Sequence, residues 1–244
     1  MLVWLPPGYE SNTNRRYPVL YMLDGQNVFD ESTSFKGDEW QADETATRLV
    51  EQREIEPLII VAVNYSPRRD IEHVPLFEEP QKSHVDGFLE LLTKQIKPLI
   101  DKEYRTRAAP EANVLVGASY GGLFSLYAAC HAKQHFGGFA VISPSLQIEK
   151  GRIVEHVAEH APGSETRLWI ELSGRRGLER ILSLQVGQLA TARRLKSVLE
   201  TAGFDTNDRL HYLEIDGAFH DEQAWGSRME PLLKYFFAVV EPDD

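Results

Sequence analysis

The sequence predicts an α/β fold, a mostly parallel sheet with helices packed on both faces. Three observations predict it. Short, almost wholly apolar runs alternate along the chain with longer amphipathic ones, as strands buried on both faces and joined by helices would. One junction between such a run and a helical stretch reads Gly117-Ala118-Ser119-Tyr120-Gly121, the G-x-S-x-G of a strand–turn–helix nucleophile elbow. The length of 244 residues suits a single three-layer domain spanning 1–244, with no internal repeat or linker to divide it.

The elements follow in order. Residues 2–5 read as a strand that begins at the chain start. Strand 19–23 is wholly apolar and runs into Asp24-Gly25-Gln26-Asn27. An amphipathic stretch at 40–53 precedes strand 58–63. Residues 84–104 carry Phe88, Leu91, Leu92, Ile96, Leu99 and Ile100 at helical spacing. Pro98 is expected to kink that helix. Strand 113–116 leads into the elbow, and a helical run begins at Leu123. Strands 138–142, 167–171 and 210–215 complete the sheet. Between the last two lies a helix at 181–203, with Gly203 as its C-cap. A final helix at 221–240 carries Trp225, Met229, Leu232, Leu233, Phe236 and Phe237 on one face. In such sheets the reactive groups gather at the carboxyl ends of the strands.

Composition narrows the function. Hydrophobic residues make up 42% and charged residues 26% of the chain, a globular composition. The net charge of -11 argues against a nucleic acid or an anionic membrane surface as partner. No apolar run approaches the ~20 residues of a membrane span. The start has no basic segment followed by an apolar one, so no secretory signal is read. The one cysteine, Cys130, excludes an intramolecular disulfide. The expected compartment is the cytoplasm.

The elbow points to nucleophilic catalysis. Ser119 must sit in a strained positive-φ turn to expose its oxygen, and the flanking glycines remove Cβ atoms that would collide there. A serine hydroxyl needs an oriented histidine to take its proton. In elbow-bearing sheets that base follows the last strand, and the acid follows the strand before it. His220, in Asp216-Gly217-Ala218-Phe219-His220-Asp221, occupies the first position. Glu179 is the carboxylate of the loop after 167–171, with Glu171 at the strand end as the fallback. The oxyanion donors are expected to be the N–H groups of Tyr120 and of Gln26. His131 with His135, and His156 with His160, are spaced for one helix face. Neither pair has H-E-x-x-H or an evident third ligand, and solvated helix faces explain both. No metal and no cofactor are expected.

With these residues placed, the chain resembles the esterase D and enterochelin esterase-like branch of the α/β-hydrolases. Leu5-Pro6-Pro7-Gly8-Tyr9 resembles the family's L-P-P-G-Y opening, and residues 17–30 resemble its Y-P-V-L-Y-L-x-D-G-Q-N-x-F-D segment. Val116-Gly117-Ala118-Ser119-Tyr120-Gly121-Gly122-Leu123 looks like its elbow, and the stretch from His220 to Trp225 like its H-x-x-x-x-W end. Trp40 stands where relatives often have a tryptophan ahead of a helix. Three departures matter. Met1 falls inside the first strand, so the sheet lacks an edge strand or the start is truncated. Arg69-Asp70-Ile71-Glu72-His73-Val74-Pro75 replaces R-x-x-E-Y-T-P, with histidine for tyrosine and valine for threonine. The acid loop lacks the family's G-T-x-E.

The resemblance implies the α/β-hydrolase fold and ester hydrolysis through an acyl-enzyme. The substrate is then a small to medium ester: a siderophore lactone, a feruloyl or acetyl carbohydrate ester, or a simple aryl ester. The substrate pocket is expected around Gly25, Asn27, Trp40, Arg69 and His73. Acyl transfer by the same serine, or a binding protein on a retired hydrolase fold, are the alternatives. Sequence does not fix the oligomeric state.

Overall fold

The carboxyl ends of a seven-stranded sheet hold the elements that matter for function. The computed structural model describes residues 1–174, 179–205 and 208–239, with the side chains of 179–186 left out. The described strands are β1 Leu2–Trp4, β2 Val19–Leu23, β3 Ile59–Val63, β4 Asn113–Ala118, β5 Gly138–Ile142, β6 Arg167–Gly174 and β7 Leu210–Asp216. They pair in the order β1-β3-β2-β4-β5-β6-β7. β1 runs antiparallel to β3, with Leu2 opposite Ala62, and the other pairs are parallel. The edge is therefore a short three-residue strand.

Period-two alternation sorts the strand side chains into two cores. Val19, Tyr21 and Leu23 of β2 enter one, and Leu20 and Met22 enter the other. The first core is closed by α3 Val85–Leu91, α5 Tyr120–His131, α6 Ile153–Glu159 and α7 Glu179–Thr201. The second is closed by α1 Ala42–Glu51, α8 Glu222–Gly226 and α9 Met229–Phe237. The helices not named there, α2 Arg69–Glu72 and α4 Lys97–Glu103, complete the chain order. α5 is buried from Gly121 to Ala129, so it is apolar all round, as a central helix must be.

Two helices differ from the expected ones. The helix at 84–104 is continuous, but residues 92–96 form a wide turn of π type between α3 and α4. Pro98 has no N–H and its ring crowds the carbonyl four residues earlier, and a wider turn just before it relieves that crowding. The final helix is two helices, broken at 227–228. Gly226 presses on the Trp40 backbone, where a Cβ would lie 2.7 Å from the Trp40 carbonyl oxygen. Pro231 then falls in the first turn of α9, where its missing N–H costs nothing. α9 still buries Met229, Leu232, Leu233, Phe236 and Phe237, at roughly 1.5–3 kcal/mol for each such side chain. Among the described residues no helix is long and apolar enough to cross a membrane.

Candidate active site

β4 ends at Ala118, and Ser119 turns the chain at φ 57°, ψ −115° into α5. That backbone state is costly for a residue with a Cβ, by about 1–3 kcal/mol. The surroundings impose it. A Cβ on Gly117 would lie 2.9 Å from the Gly121 Cα and closer still to its carbonyl group. A Cβ on Gly122 would lie 2.6 Å from the Ile142 carbonyl oxygen. The glycines thus let β4, α5 and the end of β5 meet at the serine. Ser119 N–H donates to the Ile142 carbonyl at 3.0 Å.

Ser119 and His220 line one cleft of about 260 Å³. Asp24, Asn27 and Arg69 line it on the polar side, with Glu222. Phe35, Tyr65 and Trp225 supply its aromatic walls. The His220 ring stands edge-on to Trp225, 5.0 Å between centroids. The residue is exposed at the cleft rim, but the desolvation of its ring lowers the imidazole's proton affinity below the usual histidine range. The Arg69 charge lowers it further, against an opposing pull from Asp221.

The turn expected to hold the oxyanion is tightly fixed. Asp24 adopts φ 57°, and residues 25–27 form one helical turn. A Cβ on Gly25 would lie 2.7 Å from the Ala62 carbonyl oxygen, so glycine lets the turn rest on the end of β3. Gln26 lies inside this turn, and Tyr120 is the first residue of α5. The leading N–H groups of a helix have no intrahelical acceptor. Asn27 ties the turn to the His220 loop, because its Nδ2 donates to Glu222 Oε1 at 2.9 Å. Its Oδ1 accepts from the Phe35 N–H at 3.0 Å.

Arg69 clamps Asp24 with two bonds, Nε to Oδ1 at 2.6 Å and Nη2 to Oδ2 at 2.5 Å. Bidentate pairs of this kind are strong and geometrically specific. Arg69 Nη2 also lies 3.4 Å from the Ala118 carbonyl oxygen, beside Ser119. The arginine therefore joins the turn at 24–27 to the elbow.

Over residues 1–236 the sequence matches the Esterase family, described as "Putative esterase". The chain belongs to the esterase family. A siderophore hydrolase, EstB from Aspergillus nidulans, has the same fold at a TM-score of 0.71 and 20% identity, covering 97% of this chain and 88% of that one. A ferulic acid esterase matches at 0.71 and 19% identity, over 96% of this chain and 90% of its own. The uncharacterized protein YbbA of Bacillus subtilis (strain 168) is 24% identical over 245 residues, 96% of this chain and 91% of that protein. The fold of this esterase is the α/β-hydrolase fold expected from the resemblance.

Several expected site residues of the esterase sit elsewhere than anticipated. His73 does not line the cleft. It is fully buried behind Asp24, its Nδ1 4.0 Å from Asp24 Oδ1 and its ring against Phe88 and Phe124. Burial pushes its pKa down to about 4, with Asp24 opposing, so it is neutral at neutral pH. Trp40 is 3% exposed and packs on Trp225 at 5.8 Å, behind the cleft wall. The side chain of Glu179 lies outside the described residues; its backbone opens α7. Glu171 is not free to orient a histidine. It is fully buried, accepts from Arg228 Nε at 2.6 Å, and accepts from Trp169 Nε1 at 3.2 Å. Burial pushes its pKa up, against the pull of Arg228.

Residues that sequence reasoning missed include Asp24, Ser145 and Glu222. Asp24 directly follows β2, Ser145 lies three residues past the end of β5 and Glu222 two past His220, so the carboxyl-end rule could have found them. His131 and His156 do meet, Nε2 to Nε2 at 2.8 Å. Among the described residues, however, no group of three or more His, Cys, Asp or Glu is placed to hold a metal.

With His220 as base, kcat/KM for a neutral ester should be flat near neutrality and fall on acidification with a limb below pH ~6.5. Asp221→Asn should move that limb further down, because the Asp221 charge raises the imidazole's proton affinity. A pH profile of kcat/KM for both proteins checks this. A limb at or above pH ~6.5 in the parent protein would contradict it.

Proposed function

We propose that this esterase hydrolyses small to medium carboxylic esters through an acyl-enzyme on Ser119. The observation that carries the reading is the strained elbow at Ser119 opening into the same cleft as His220. His220 takes the serine proton as Oγ attacks the ester carbon, then returns it to the departing alcohol. Glu179, at the start of the helix after β6, is the proposed acid that orients the imidazole. The N–H groups of Gln26 and Tyr120 receive the oxyanion, each such donor being worth about 3 kcal/mol in other serine hydrolases. The aromatic walls Phe35, Tyr65 and Trp225 favour an ester with an aryl group on one side of the scissile bond. The name of the ferulic acid esterase supports an aryl-bearing ester, and that of the siderophore hydrolase supports hydrolysis of a siderophore.

The test pairs labelling with turnover. A fluorophosphonate probe should modify one residue per chain, Ser119, and abolish cleavage of p-nitrophenyl acetate. A panel of acetyl, butyryl, feruloyl and catecholate-trilactone esters then ranks the acyl group. A folded protein that neither takes the probe nor cleaves any ester of the panel defeats the reading.

A further inference from the structure

A second serine hydroxyl lies beside Ser119. Ser145 Oγ lies 3.4 Å from Ser119 Oγ. That distance is long for a formed O–H···O bond, but catalytic hydrogen bonds are often long before substrate arrives. Ser145 is 5% exposed, so its hydroxyl is sheltered from competing water. Its N–H donates to the Ser119 carbonyl at 3.1 Å, so the two residues are tied through the backbone as well.

The segment 143–145 is held with unusual firmness. Ser143 adopts φ 41°, a left-handed state that favours glycine. Its N–H donates to the Glu171 carbonyl at 2.8 Å, and its Oγ shares a 2.7 Å bond with Ser173 Oγ. Arg228 then contacts both Ser173 Oγ, at 3.4 Å, and the Glu171 carboxylate. This buried polar chain fixes the loop after β5 against β6 and the start of α9. Such a network rigidifies its members, and here it fixes the loop that carries Ser145.

We propose that Ser145 is a second catalytic hydroxyl, donating to Ser119 Oγ and stabilising that oxygen as it leaves in breakdown of the acyl-enzyme. The proposal rests on the acyl-enzyme reading above. The charge balance says which step it serves. In acylation the Oγ hydroxyl already accepts the Ser145 bond before it attacks, so that bond changes little on the way to the transition state, whereas the ester Oγ of the acyl-enzyme is a weak acceptor. In deacylation, water adds to the acyl carbon while His220 takes its proton. The C–Oγ bond then breaks, its electron pair goes to Oγ, His220 returns the proton to Oγ, and the carboxylic acid departs. Negative charge grows on Ser119 Oγ during that break, and the Ser145 O–H stabilises it. Ser145 keeps its own proton throughout.

The experiment separates the two steps with p-nitrophenyl acetate in a stopped-flow instrument. In Ser145→Ala the burst rate, which reports acylation, should stay within about twofold of the parent. The later steady rate, which reports deacylation, should fall about tenfold, the effect of one hydrogen bond to a developing charge. Intact mass spectrometry should find the acetylated chain accumulating. Ser145→Thr keeps a hydroxyl and should restore the steady rate. A steady rate unchanged in Ser145→Ala overturns the proposal. So does a parallel loss of both phases in folded Ser145→Ala and Ser145→Thr, which marks a packing role alone. Should the parent protein itself neither burst nor take a fluorophosphonate, the acyl-enzyme reading has failed instead.

Discussion

Ser119→Ala is expected to lower kcat/KM on a short p-nitrophenyl ester by on the order of 10⁴-fold or more, the scale seen when a serine nucleophile is removed. The cleft and the proposed oxyanion donors remain in that variant, so KM should change little. The same position should show a trade-off between stability and activity. At φ 57°, ψ −115°, a side chain is strained and glycine is not. Ser119→Gly should therefore be as inactive as Ser119→Ala but more stable than it by about 1 kcal/mol, a shift of roughly 2–4 °C in Tm for a chain of this size. Thermal unfolding of the three proteins measures it. Equal stability of the glycine and alanine variants would mean that the elbow stores no strain.

Gly117→Ala is expected to have the largest effect on folding. The added methyl group would sit against the Gly121 carbonyl group, backbone against which nothing can rotate away. To admit it, the end of β4 and the first turn of α5 must part, and both are buried. Overpacking of this kind costs about 3 kcal/mol or more, and the separation would also displace Ser119 and the Tyr120 N–H. Gly203 provides the contrast. It has φ 88°, but its Cβ would meet nothing within 4 Å, so Gly203→Ala should cost only about 1 kcal/mol for the backbone state. Urea unfolding of the two variants distinguishes them. If both lose the same stability, steric closure at the elbow is not what selects glycine at 117.

Those two contrasts show which parts of this esterase were legible in its sequence. The apolar runs at 19–23 and 138–142 became β2 and β5 without change, because strands buried on both faces leave no other pattern. Ser119 and His220 were read from chain order, and the sheet topology brings both to one cleft. The misplaced residues share a different cause. His73 and Trp40 were read as cleft residues from the motifs around them, yet one supports Asp24 and the other supports Trp225. A motif shows that a residue is needed near the site but not which of its sides faces solvent. The break at 227–228 was hidden for a similar reason. Both halves carry one apolar face in phase, and only the close approach of Gly226 to Trp40 separates them. Glu171 looked like an acid at a strand end, and its countercharge Arg228 lies 57 residues away.

That last pair makes one end of the sheet depend on a late part of the chain. Glu171 reaches the ribosome exit before Arg228, and a carboxylate buried on β6 without its cation is among the more destabilising arrangements a core can hold. The nascent chain therefore has reason to leave that end of the sheet open until α9 emerges. His220 is delivered in the same late stretch. Closure of the second core by Phe236 and Phe237, neutralisation of Glu171 by Arg228 and placement of His220 at the Ser119 cleft thus all depend on one short stretch, residues 220–237.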